Sequence, residues 1–327
     1  MINSNTNREQ IDWYDYFLEI LHKKYPKKAQ LTQSLMDLLL LERESTYRRL
    51  RREVVFSAHE IMTIASAWGI SLDELANVDL DVIPFHLRPI NYLNPSKKES
   101  DFLREVIEAI NYLKVFPNTE FLDVCNKLPR QLLAGYNYLN QLSLFKWRYQ
   151  YGDENAVIPF SEVIVSDDQK MMNAEYYHAI KNVPNSSFIW DSRIFEYLIN
   201  DVLYFCSIYL ITEEDKQLIK NDLKNLLNYL FEVASMGCYP ETKNKVNLYI
   251  SHLNINANYS YTFSPKAHVC FVHVFEKYEI FSFHADMLAN FKRWMQSKKR
   301  TSIQISEVDE KNRIEFFSKQ RQLLELL

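Results

Sequence analysis

Residues 29–75 of the chain read AQLTQSLMDLLLLERESTYRRLRREVVFSAHEIMTIASAWGISLDEL. Their apolar positions recur at intervals of three and four, first Leu31, Leu35, Leu38 and Leu39, then Ile61, Ile64, Ala65 and Trp68. That spacing lays one apolar stripe along a helix. Upstream, Trp13, Phe17, Ile20 and Leu21 repeat it, so the sequence predicts consecutive short helices from about Ile11 to Ala76. Gly69 follows the last stripe, where a left-handed C-terminal cap is wanted.

Between the stripes lies the charge. From Ile20 to His59 nine basic residues (Lys23, Lys24, Lys27, Lys28, Arg43, Arg48, Arg49, Arg51, Arg52) stand against four acidic ones, a segment net of +5 in a chain whose net is -4. An arginine run on a helix is most often only a solvated face. Here Tyr47 and Leu50, three apart, can hold the helix against its own domain and leave Arg43, Ser45, Thr46, Arg48, Arg49 and Arg52 facing outward or sideways. A helix laid in the major groove needs that division, with one face packed and one face of donors toward bases and phosphates. Early residues of the helix would read base edges, and the later arginines would grip the backbone. Thr32 and Gln33, placed at a helix N-terminus, would bond a phosphate beside free backbone amides.

Thr32-Gln33 opens one helix, Glu42 to Glu53 forms the next, and Trp68-Gly69-Ile70-Ser71-Leu72-Asp73-Glu74-Leu75 closes the stretch. Together they resemble the helix-turn-helix of the Cro/CI repressor family, also called the XRE family, over about a seventh of the chain. The resemblance implies a sequence-specific head for double-stranded DNA in a bacterial-type transcriptional regulator. Two positions depart from the family pattern. Arg52-Glu53-Val54-Val55 stands where a glycine often follows the recognition helix, and the apolar run Leu38 to Leu41 replaces the usual turn before it. A homodimer is expected, because one small head buries too little surface for tight binding and two half-sites multiply affinity.

Beyond this stretch the sequence excludes more than it specifies. At roughly 150 residues per domain, a chain of 327 residues calls for two domains. Its four glycines, Gly69, Gly135, Gly152 and Gly237, never share a local window. That rules out the glycine-rich phosphate loops and the nucleophile elbow. Cys125, Cys206, Cys238 and Cys270 are scattered without a C-x-x-C, so free thiols in a reducing cytoplasm are expected. Met1 to Asp15 is polar, unlike a signal peptide, and the longest apolar stretch, Tyr197 to Ile211, is too short to span a bilayer. A cytoplasmic protein with no membrane segment follows.

The sequence divides into a helix-turn-helix domain at 1–78, a linker at 79–96 containing Pro84, Pro89 and Pro95, and an α+β, predominantly α body at 97–327. Helices are predicted at Lys97 to Val115, Thr119 to Lys127, Arg130 to Phe145, Met171 to Lys181, Asp191 to Leu210, Thr212 to Met236, Asp286 to Ser297 and Glu310 to Leu326. Strands are predicted at Ala156 to Ser166, Ala257 to Ser264, His268 to Phe275 and Glu279 to His284, the last three making a small antiparallel sheet near the C-terminus. Phe102, Val106 and Ile110 form a stripe that serves either as a dimer seam or as part of the body's own core. His268, Cys270, His273 and His284 fall in one window, but His273 points away from the first two on a regular strand, so no metal site is expected. The patch Lys292, Arg293, Lys298, Lys299 and Arg300 reads as a solvated helix end. No catalytic constellation and no cofactor are called for. The body is expected to sense a small-molecule or peptide effector or to mediate dimerisation. The rival readings are an interaction scaffold whose head no longer binds DNA and, last, an enzyme with a DNA-targeting head.

Overall fold

Local sequence sets the ends of the four helices described in the head: α1 (Trp13–Lys24), α2 (Lys28–Leu39), α3 (Arg43–Leu50) and α4 (Ala58–Trp68). The computed structural model describes residues 12–72, 75, 85–88, 97–152, 157–265, 268–274, 278–282 and 284–327. Asp12 caps α1 by accepting from the Tyr14 amide. Ser57 and Glu60 form a reciprocal capping box on α4, satisfying two amides that a helix start leaves free. Gly69 ends α4 in the left-handed region, φ 64°, as its place after the stripe implies. Phe17, Leu21, Leu31, Leu35 and Ile64 are fully buried in one cluster. Each such side chain is worth about 1.5–3 kcal/mol.

Both departures from the family pattern become backbone features. Leu40 ends α2 at φ 54°, ψ 40°, with its side chain 90% exposed. Arg52, beyond α3, takes φ 64°. Each does what a glycine does elsewhere, at about 1–2 kcal/mol of strain for an L-residue.

Contacts divide the chain into two compact units, Met1–Pro84 and Phe85–Leu327. Most of the expected linker lies outside the described residues, but its segment His86–Arg88 is a strand, β1, of the second unit. The rest of that unit runs α5 (Lys97–Leu113), β2 (Glu120–Cys125), α6 (Arg130–Leu133), α7 (Asn137–Tyr151), a single 3-10 turn at Phe160–Glu162, α8 (Asp167–Lys181), β3 (Asn185–Asp191), α9 (Ile194–Ser207), α10 (Glu213–Met236), β4 (Lys245–Ser251), β5 (Tyr259–Phe263), β6 (His268–Val274), β7 (Tyr278–Ser282), α11 (Ala285–Arg300), β8 (Ile303–Gln304) and α12 (Glu310–Leu324).

The body is α+β as expected, but its sheet is neither small nor confined to the C-terminus. Eight strands lie in the order β1-β7-β6-β5-β2-β3-β4-β8. Three adjacent strands, β2, β3 and β4, are parallel. The helix expected over Thr119 to Lys127 is strand β2, and among the described residues of the strand expected over Ala156 to Ser166 the one regular element is the 3-10 turn. The helix expected from Arg130 to Phe145 breaks around Gly135 into α6 and α7.

Parallel pairing dictates the layering. The β2-to-β3 and β3-to-β4 crossovers carry α6 to α10, as parallel strands require, and these helices bury Phe188, Trp190, Leu248 and Ile250 on one face of the sheet. Helix α11 covers the other face through Leu288, Phe291 and Met295, packed on Val124, Ile189 and Tyr261. Strands β5, β6 and β7 are antiparallel neighbours, and antiparallel neighbours need no covering helix between them. Over them, α5 and α8 stand on the first face and leave a cavity. Among the described residues no helix is long and apolar enough to cross a membrane.

Candidate DNA-binding helix and a cavity in the body

Helix α3 follows α2 through the single left-handed residue Leu40 and a short link. Its packed side is set by Thr46, which is fully buried, and by Leu50, which lies against the head's core. The seam is therefore Thr46–Leu50 rather than Tyr47–Leu50, a rotation by one residue. Tyr47 is half-buried under Arg43, whose guanidinium lies 5.8 Å from the ring centre.

That rotation sorts the eight residues named from the sequence. Arg43, Arg48 and Arg52 are exposed, and Gln33 is exposed while donating to Asp37. Ser45 is half-buried. Three side chains lie inside instead. Thr32 is 2% exposed and donates to the Lys28 carbonyl within α2, so it does not stand at the start of that helix. Thr46 donates to the Glu42 carbonyl in the same way. Arg49 is bonded to both Glu60 oxygens, at 2.8 and 3.1 Å, and to the Ser45 carbonyl. Burial pushes the Glu60 carboxyl up, but the Arg49 and Ser57 bonds outweigh it and hold the group below its ordinary value. Arg51, absent from the sequence-based set, is exposed on the outer side and paired with Glu44 and Glu53, both at 2.9 Å. Arg48 also reaches Glu53, and Arg52 pairs with Asp15.

The stripe on α5 goes to the body's own core. Ile110 is 7% exposed and Val106 packs against the same cluster, while the Phe102 side chain lies outside the described residues. Both described members also border the cavity, which has a volume of about 650 Å³. Its walls are apolar and aromatic, including Phe121, Trp147, Phe271 and Phe281.

Its floor is polar. Asp123, in the middle of β2, is 2% exposed and accepts from Ser260 Oγ of β5 at 2.7 Å and from Gln131 Nε2 at 2.8 Å. Ser260 Oγ lies 3.0 Å from His273 Nε2, and His273 Nδ1 lies 3.4 Å from Glu279 Oε1 on β7. One chain of four residues thus crosses strands β2, β5, β6 and β7. Burial raises the Asp123 carboxyl above its ordinary value, against the lowering effects of the His273 charge and of bonds from Ser260, Cys125 and Gln131. Burial, reinforced by the Asp123 charge, pushes the Cys125 thiol well up. It is a poor nucleophile.

Sequence reasoning separated His273 from His268 and Cys270 by strand parity, and β6 keeps that parity: Cys270 packs beneath α11 while His273 reaches the cavity floor. His268 bonds Tyr261, and no metal-holding cluster occurs among the described residues. Asp123 and Ser260 escaped notice because 137 positions separate them. The available signal was a lone aspartate inside the apolar run Phe121 to Cys125. At the basic patch, Lys292, Lys298 and Lys299 lie over the Phe263, Trp294 and Tyr249 rings. Comparison of the chain with protein-family models, with curated proteins and with solved structures finds no match.

Proposed function

We propose that this chain is a sequence-specific, double-stranded-DNA-binding transcriptional regulator, acting as a homodimer, whose body holds an effector in its cavity. The observation carrying this reading is α3 itself. It is a short helix joined to α2 by a short link with Leu40 left-handed, with Thr46 and Leu50 inside and Arg43, Arg48 and Arg51 outside. In this reading Arg43 reads base edges and Arg48, Arg51 and Arg52 grip phosphates, while Gln33, like Thr32, stands inside α2 and not at its start. The ion pairs of Arg48, Arg51 and Arg52 are exposed. Such pairs are worth only about 0–1 kcal/mol, so a phosphate displaces the carboxylates at little cost.

Selection from a pool of randomised duplexes with the full chain tests the reading. A paired, spaced half-site is the expected outcome, and recovery of no common sequence opposes it.

A hydrolase is the second reading, because Ser260, His273 and Glu279 stand in the order of a nucleophile, base and orienting acid. Two features weigh against it. Ser260 is held by Asp123 on its other side. It also lies mid-strand between β2 and β6, where ladder bonding uses the amides that an oxyanion hole would need.

A further inference from the structure

The four-residue floor has two proton arrangements in which each donor faces an acceptor. Ser260 carries one hydrogen and stands between the Asp123 carboxyl and His273 Nε2. In one arrangement it donates to Asp123, and a doubly protonated His273 donates to Ser260 and faces Glu279 with the other N–H. In the other, a protonated Asp123 donates to Ser260, Ser260 donates to His273, and His273 keeps its Nδ1 proton toward Glu279. The two differ only by a proton moved along the chain. Removing that proton leaves a lone pair facing a lone pair somewhere along it. Counted over Asp123, His273 and Glu279, both satisfied arrangements carry a net charge of -1.

A net negative charge facing an apolar chamber is costly unless a cation answers it. The rest of the lining does not reverse the sign: among the described residues beyond the floor, three carboxylates, Glu105, Asp168 and Asp201, stand against three Lys and Arg side chains. Of those three, Lys146 is answered by Asp201, and Arg130 donates to Asn173 on α8. The walls add aromatic rings, whose faces attract a cation further. A volume of about 650 Å³ fits a small ligand rather than a folded partner.

We propose that the cavity binds a small organic cation, an apolar body bearing one protonated nitrogen, with that nitrogen seated on the floor formed by Asp123, Ser260, His273 and Glu279. This rests on the reading of the body as an effector chamber and names the effector's class. Glu279, with a side chain 29% exposed, takes the ammonium directly.

Three probes of one shape separate the terms: 4-phenylbutylamine, 4-phenylbutanol and 4-phenylbutyrate, titrated calorimetrically into the full chain at pH 7. The amine is expected to bind about tenfold or more tightly than the alcohol, as a charge-assisted hydrogen bond provides, and the carboxylate more weakly than either. Glu279→Gln should remove most of the amine's advantage over the alcohol. Because the Glu279 side chain is partly exposed, this variant spares the buried Asp123 on which the floor is built. Equal binding of all three probes overturns the cation while leaving the chamber. A preference for the carboxylate overturns it in favour of the basic side chains on the lining. Binding of none overturns chamber and cation together.

Discussion

Arg48 and Arg49 are neighbours with opposite placements, one 53% exposed in its side chain and the other 17%. Removing Arg48 should leave stability within about 0.5 kcal/mol, weaken binding to every duplex and lower the salt slope by about one. Removing Arg49 leaves the Glu60 carboxylate without its partner, which should cost about 1–3 kcal/mol. Thermal unfolding and duplex titration of the two Ala variants separate these roles. Glu60's lowered carboxyl gives the second loss a pH signature. A group depressed by folding stabilises above its ordinary value of 4.5 and loses that contribution as the pH falls through its folded value. Arg49→Ala should flatten that acid loss. The sequence located the arginine run but not its rotation, because consecutive helix residues turn by about 100°, and Tyr47 and Thr46 are both able to serve as an inward anchor. Only the full set of partners, Glu60 above all, chooses between them.

At the scale of elements, the turn between α2 and α3 is the strained piece. Leu40 holds a left-handed conformation with almost no burial in return. Leu40→Gly should therefore stabilise the head by about 1 kcal/mol, read as a higher denaturant midpoint. A lower midpoint would mean that this side chain contributes more than its exposure shows. The head's helices were legible because each is half-wet, so its apolar period shows in the sequence. Strands β3 and β4 were not. From Ser186 to Asp191 and from Val246 to Ser251 every residue is buried, so no alternation marks them, as in any parallel strand covered on both faces. Strand β2 was disguised further by Asp123, a polar residue in the middle of an otherwise apolar run, and the residue that hid the strand anchors the cavity floor.

For the whole molecule, four glycines removed the phosphate-cradling loops from consideration, and what remains is a helical head with one basic segment and a body with a cavity on one face of an eight-stranded sheet. The cavity arises from a topological change, since crossover helices cover the parallel strands and hairpin-like neighbours leave the antiparallel ones open to α5 and α8. Sequence alone could not show this, because the floor residues come from four strands that only the tertiary pairing brings together. The proposed function depends first on the head binding duplex DNA. Its most direct test is the affinity of the full chain for its selected duplex across a salt series, beside a variant with Arg43, Arg48 and Arg51 all changed to Ala. The natural chain should show a straight, steep fall of log affinity with log salt, and the triple variant a weaker, shallower line. Affinity independent of salt, or two identical lines, would contradict it.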